Sequence, residues 1–111
     1  MMISETVMDE LISKIEDVVL KLIMYDNEGY AASAQELATE LMTVLPDIIG
    51  YYADPKMAEH ASDAKYWPAQ LERILQALSA GDDLATFDVL YNETRANLIE
   101  LKGILRGKGI V

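Results

Sequence analysis

The chain has 111 residues, no cysteine, a hydrophobic fraction of 51% and a formal net charge of −10 at pH 7. That length predicts one domain over residues 1–111, large enough to bury a core without a metal or disulfide. The lack of cysteine excludes disulfides, thiolate metal sites and cysteine nucleophiles together. The charge is uneven: residues 1–53 hold ten acids and two lysines, residues 54–111 nine acids and seven bases. Such an acidic first half repels nucleic acid and anionic lipid headgroups, so neither nucleic acid nor a membrane is an expected partner; the face is a solvated helix surface or steers a basic partner. No apolar run approaches the roughly 20 residues of a membrane span. The start of the chain lacks a basic region followed by a continuous apolar one, so the expected setting is the cytoplasm.

Four apolar stretches share one spacing, alternating steps of three and four. Met8, Leu11, Ile15, Val18, Leu22 and Tyr25 predict a first helix over about 4–25. Within it, Glu10 and Lys14, and Asp17 and Lys21, have the favoured acid-before-base spacing. Asp26-Asn27-Glu28-Gly29 should end it, with Asn27 or Gly29 left-handed. The segment fails as a calcium loop, because its fifth and twelfth positions are Tyr30 and Leu37. Ser33-Ala34-Gln35-Glu36 matches a capping box, so the second helix is expected over about 33–52, on the stripe Ala34, Ala38, Leu41, Leu45, Ile48 and Tyr52.

Asp54 and Pro55 predict an N-cap and first helical residue for a third helix, about 55–80. Its stripe is Met57, Ala61, Ala64, Pro68, Leu71, Leu75 and Leu78. Pro46 and Pro68 should kink helices two and three, and helix three is expected to divide near 66. Gly81 should stop it and Asp82 cap a fourth helix, about 82–106, on Leu84, Phe87, Tyr91, Thr94, Leu98, Leu101 and Leu105. Thr94, the polar member of that stripe, is expected to bond the Leu90 carbonyl. Arg106-Gly107-Lys108-Gly109 reads as a fraying tail. Short connections favour antiparallel neighbours, hence an all-α up-down four-helix bundle, with helices of about 33 Å making an elongated rod.

Chemistry is sparse. The single histidine, His60, has Met57 rather than a glutamate three residues before it, so the di-iron pattern is absent and a surface histidine is expected. No catalytic constellation, cofactor site or metal site is legible. Glu36 and Glu40, with Asp88 and Glu93, would be the magnesium ligands of a helical nucleotide hydrolase, but they lack tight grouping and a basic pair for phosphates. Among the aromatics, Tyr52 fits the second stripe, whereas Tyr51 and Tyr66 lie off theirs and Trp67 flanks its own. Tyr51, Tyr66 and Trp67 are therefore the expected partner-binding residues. Tyr25, Tyr30, Phe87 and Tyr91 should gather at the other end of the bundle.

Leu71-Glu72-Arg73-Ile74-Leu75-Gln76-Ala77-Leu78-Ser79-Ala80-Gly81-Asp82, running on through Asp88-Val89-Leu90-Tyr91-Asn92-Glu93, resembles the closing helical hairpin of bacterial flagellar export chaperones and of helical tails on motility-associated proteins. The resemblance covers about a third of the chain and implies an all-helical binder that sheathes an amphipathic client segment. A non-enzymatic protein-interaction module is the expectation. The alternatives are a structural homodimer using Ile12, Val19, Ile23, Val44, Ile49 and Ile99, and the magnesium-dependent hydrolase.

Overall fold

Three of the helical segments begin where a short polar side chain accepts an orphan backbone N–H: Ser4, Asp54 and Asp82. The computed structural model describes residues 3–24 and 27–111. Ser4 Oγ accepts from the Val7 amide at 3.2 Å and opens α1, Glu5–Ile23. α2 covers Asn27–Tyr51 and runs without interruption through Pro46. Asp54 accepts from the Lys56 amide at 2.8 Å, and a 3₁₀ helix follows over Pro55–Lys65. α3 covers Tyr66–Ala80 and ends on Gly81 at φ 65°, with the Asp82 amide donating to the Ala77 carbonyl, a Schellman stop. Asp82 then caps α4, which passes through three consecutive pieces: an α turn Asp83–Phe87, a π-helical stretch Asp88–Arg95 and a final α segment Ala96–Gly107. Among the described residues there are four helices and no strand.

The helices gather around one core, and the molecule measures 43 × 23 × 22 Å. Met8, Leu11, Ile15 and Val18 line its α1 wall as the spacing requires, and Ala34, Ala38, Leu41 and Ile48 line its α2 wall. Tyr25 and Asp26, expected in the first stripe and turn, lie outside the described residues. Cross-helix contacts come in ordered sets. The Tyr51 hydroxyl donates to the Ile3 carbonyl, Lys14 bonds Glu40, and Lys21 bonds Ser33. Arg106 meets Glu5, Lys102 meets Asp9, and Arg95 meets Glu16.

Several expectations shift. α2 starts six residues before Ser33, whose hydroxyl accepts from Lys21 at 2.7 Å instead of capping a helix. The early start carries Tyr30 into the core. Burying an aromatic side chain gains about 1.5–3 kcal/mol, which exceeds the roughly 1 kcal/mol that Gly29 costs inside a helix.

In the third segment the buried residues are Trp67, Gln70, Ile74 and Ala77, the expected stripe moved by one position, while Leu75 turns outward. The 3₁₀ helix is the reason. It rotates about 120° per residue rather than about 100°, so eleven residues of it change the phase on which α3 begins. Pro68 then falls in the first turn of α3, where its missing N–H is needed least.

In α4, Thr86, Leu90, Thr94 and Leu98 are buried at steps of four, with Val89 buried beside Leu90, and Leu84 is 78% exposed. A π helix has more residues per turn, so the stripe advances by four until the α segment resumes its three-four alternation at Leu98, Leu101 and Leu105. Thr94 consequently bonds Gln70 across the core at 3.4 Å rather than the Leu90 carbonyl. The C-terminus docks instead of fraying: the Ile110 amide donates to the Leu105 carbonyl, Ile110 packs on the core, and Lys108 pairs with Glu59 at 2.6 Å.

Candidate functional site

The 3₁₀ helix brings chemistry together as well as changing phase. With three residues per turn, side chains three apart stand in one file. His60 and Asp63 share that file, and Tyr66 extends it into the start of α3. Facing them is the final segment of α4, whose Asn97, Glu100, Leu101 and Ile104 recur at helical spacing. Tyr52 and Trp67 close the floor. Together these residues line a cleft of about 190 Å³.

Inside the cleft the Trp67 indole N–H donates to the Tyr52 hydroxyl at 2.8 Å. Burial, with the Asp63 and Glu100 carboxylates in the neighbourhood, raises the Tyr52 phenol above its ordinary pKa, against the opposing pull of the Trp67 donor. His60 lies 3.7 Å from Asp63 and 3.5 Å from Glu59. Lys108, bonded to Glu59, holds that carboxyl below its ordinary pKa. Tyr66 is 53% exposed, and Lys65 Nζ stands 5.4 Å from its ring centroid. No cation among the described residues pairs with Glu100.

Of the three residues expected to bind a partner, the structure brings two to this cleft. Trp67 lines it from the core, only 4% exposed, and Tyr66 forms an open wall. Tyr51 is corrected: at 5% exposure it is a core residue whose hydroxyl ties down the Ile3 carbonyl. Tyr52, expected in the core, is partly buried and packs against it while also lining the cleft. The residues that sequence reasoning missed are His60, Asp63, Asn97 and Glu100. For His60 and Asp63 the signal was the three-residue spacing 57, 60, 63, 66, which a 3.6-residue reading passes over; Asn97 and Glu100 carried none.

The chain matches no protein-family model, no curated protein and no solved structure.

Several other acids are paired elsewhere. Lys14 bonds Glu40 at 2.6 Å and Lys21 meets Asp17 at 3.2 Å, so the outer groove between α1 and α2 is a ladder of both charges. Glu40 raises the Lys14 pKa by hydrogen bonding and attraction. Glu93 pairs with Arg73, and Asp88 accepts from Asn92 at 2.8 Å. Glu36 and Glu40 thus stand apart from Asp88 and Glu93, and among the described residues no group of three or more His, Cys, Asp or Glu is placed to hold a metal.

Away from the cleft, the end of α1 exposes apolar side chains. Leu20, Ile23 and Met24 share one face at the end of α1, and each is more than half exposed. The first turn of α4, which contacts α1, carries Leu84, 78% exposed. Phe87 and Tyr91 stack beside it with centroids 5.6 Å apart, and Arg95 covers the Tyr91 ring at 4.8 Å.

Proposed function

We propose that this chain is a non-enzymatic interaction module, chaperone- or adaptor-like, that works in the cytoplasm and binds a helical or extended segment of a partner protein. The observation that carries the reading is the apolar end. Four large side chains (Leu20, Ile23, Met24 and Leu84) are each more than half exposed where α1 finishes and α4 begins. Apolar groups gathered on a surface mark association sites, because covering each one gains about 25 cal/mol per Å² removed from water. The resemblance of residues 71–93 to the closing hairpin of helical export chaperones points the same way.

The architecture in this proposal is an antiparallel up-down bundle, with helices two and three bent at Pro46 and Pro68. Contact order supports it. As the α1 partner moves from Ile3 to Lys14 to Lys21, the α2 partner moves back from Tyr51 to Glu40 to Ser33. The α1–α4 pairs run backwards in the same manner. Each proline removes a backbone donor and crowds the carbonyl four residues earlier.

A homodimer is the second reading, favoured by the exposure of Ile23 and Ile99, although Val19 and Val44 are already used in the core. Size-exclusion chromatography with light scattering, with and without a dye that fluoresces on apolar surface, separates the two. A folded monomer that binds dye, and loses that binding in the double variant Ile23→Ser, Leu84→Ser, supports the module. A dimer that binds none overturns it in favour of self-association. A folded monomer that binds no dye overturns both.

A further inference from the structure

We infer that the cleft between the 3₁₀ helix, α3 and α4 receives the side chain of an arginine in a basic segment of a protein partner. The inference goes beyond the interaction-module reading, which is carried by the opposite end of the molecule.

Size limits the occupant first. Sites for drug-sized ligands run about 300–1,000 Å³, and this cleft of about 190 Å³ has room for one side chain. Its lining then selects charge. Asp63 and Glu100 contribute carboxylates from opposite walls, while Tyr52, Tyr66 and Trp67 contribute aromatic surface. Carboxylates with aromatic faces favour a cation that is weakly hydrated and can lie flat on a ring, which distinguishes guanidinium from ammonium. The protein's net charge of −10 draws such a segment in from solution.

The molecule contains its own example of this recognition. The Arg95 guanidinium lies 4.8 Å over the Tyr91 ring and reaches Glu16 at 3.4 Å. Beside the cleft, Lys65 Nζ already stands over the Tyr66 ring at 5.4 Å. That ring therefore attracts a cation, and Lys65 competes with any arriving one.

The single tryptophan provides the readout, because the Trp67 indole N–H is donated within the cleft. The probe is an acetylated and amidated Gly-Gly-Arg-Gly-Gly peptide, titrated into the full-length protein while the one indole N–H resonance is followed by NMR. The resonance is expected to shift and saturate, with a Kd of order millimolar for a contact this small. The citrulline peptide, alike in shape and uncharged, should bind at least about tenfold more weakly. Glu100→Gln and Tyr66→Ala should each weaken arginine binding about threefold, and Lys65→Ala should tighten it. Glu36→Gln, which removes the same charge from the distant α1–α2 groove, should leave it unchanged. A cooperative melt checks that each variant is folded.

No saturable indole shift, equal binding of the citrulline peptide, or an equal loss in Glu36→Gln and Glu100→Gln would each overturn the assignment. Any of these, with dye binding at the apolar end intact, would remove the cleft and leave the interaction-module reading standing. Loss of dye binding in the wild-type protein, with arginine binding retained, would do the reverse.

Discussion

Replacing Gln70 and Thr94, singly and together, tests what the polar contact at the centre of the bundle contributes. Gln70 lies on α3 and Thr94 in the π-helical stretch of α4, both almost fully buried, with the Thr94 hydroxyl 3.4 Å from the Gln70 side-chain oxygen. Leu41, Leu45, Ile48, Trp67 and Ile74 surround them. A typical O–H···O distance is about 2.7–2.8 Å, so the bond itself is weak. The larger effect comes from leaving either partner alone among apolar neighbours.

Thr94→Val keeps the shape and strands the Gln70 amide, at a cost of about 1–2 kcal/mol. Gln70→Leu strands the threonine hydroxyl but gains apolar burial, for a net cost of about 1 kcal/mol. The double variant removes both polar groups and should fall within about 0.5 kcal/mol of wild type, or above it. The favourable coupling is then about 2 kcal/mol. Urea unfolding followed by helical circular dichroism measures it, and each kcal/mol should move the melting temperature by about 4–8 °C in a domain near this size. Simple addition of the two single effects would refute the reasoning. It is the result expected had Thr94 bonded within its own helix, as an unbroken α-helical α4 would require.

Leu98→Ala should cost about 2–5 kcal/mol and Leu84→Ala less than about 0.5 kcal/mol, although both occupy the same sequence stripe; comparable losses would contradict the π-helical phase. Tyr51→Phe should cost about 1 kcal/mol in thermal or urea unfolding, since it removes the hydroxyl that holds the Ile3 carbonyl; an unchanged midpoint would show that this tie contributes nothing. Burial raises the Tyr30, Tyr51 and Tyr52 phenols above their ordinary value of 10.0, so the folded state holds these protons more tightly than the unfolded one. The associated stability is fully present below that value and is lost as pH rises through the higher folded values. Urea midpoints should therefore fall with pH from about 10 upward, together with late phenolate absorbance near 295 nm; phenolate absorbance complete before the midpoint falls would oppose the assignment.

Local chemistry made several boundaries legible. Asp54 with Pro55, and Gly81 with Asp82, mark helix edges by the geometry of one or two residues, and the structure has them in those roles. The stripes of α1 and of most of α2 were readable for a related reason: an unbroken α-helix repeats at a constant angle, so residue spacing alone says which side chains face inward. The site was less legible. Tyr66 and Trp67 could be chosen by residue type, but Tyr51 and Tyr52 are adjacent, and a small error of helical phase exchanges their roles.

The sequence by itself determined that the chain is helical, where its clearest caps and stops fall, and that its core is built from amphipathic stripes, because each of these follows from neighbours within about four residues. Only the tertiary structure decided that residues 55–65 wind as a 3₁₀ helix and 88–95 as a π helix. Such alternatives differ little in local preference, so packing against the other helices selects among them. Those two departures from α geometry turned Leu84 and Leu75 outward, placed Gln70 against Thr94, and stood His60, Asp63 and Tyr66 in one file opposite Glu100. The cleft exists because helical phase is cumulative: a small change in rotation per residue, summed over one segment, re-aims every side chain that follows.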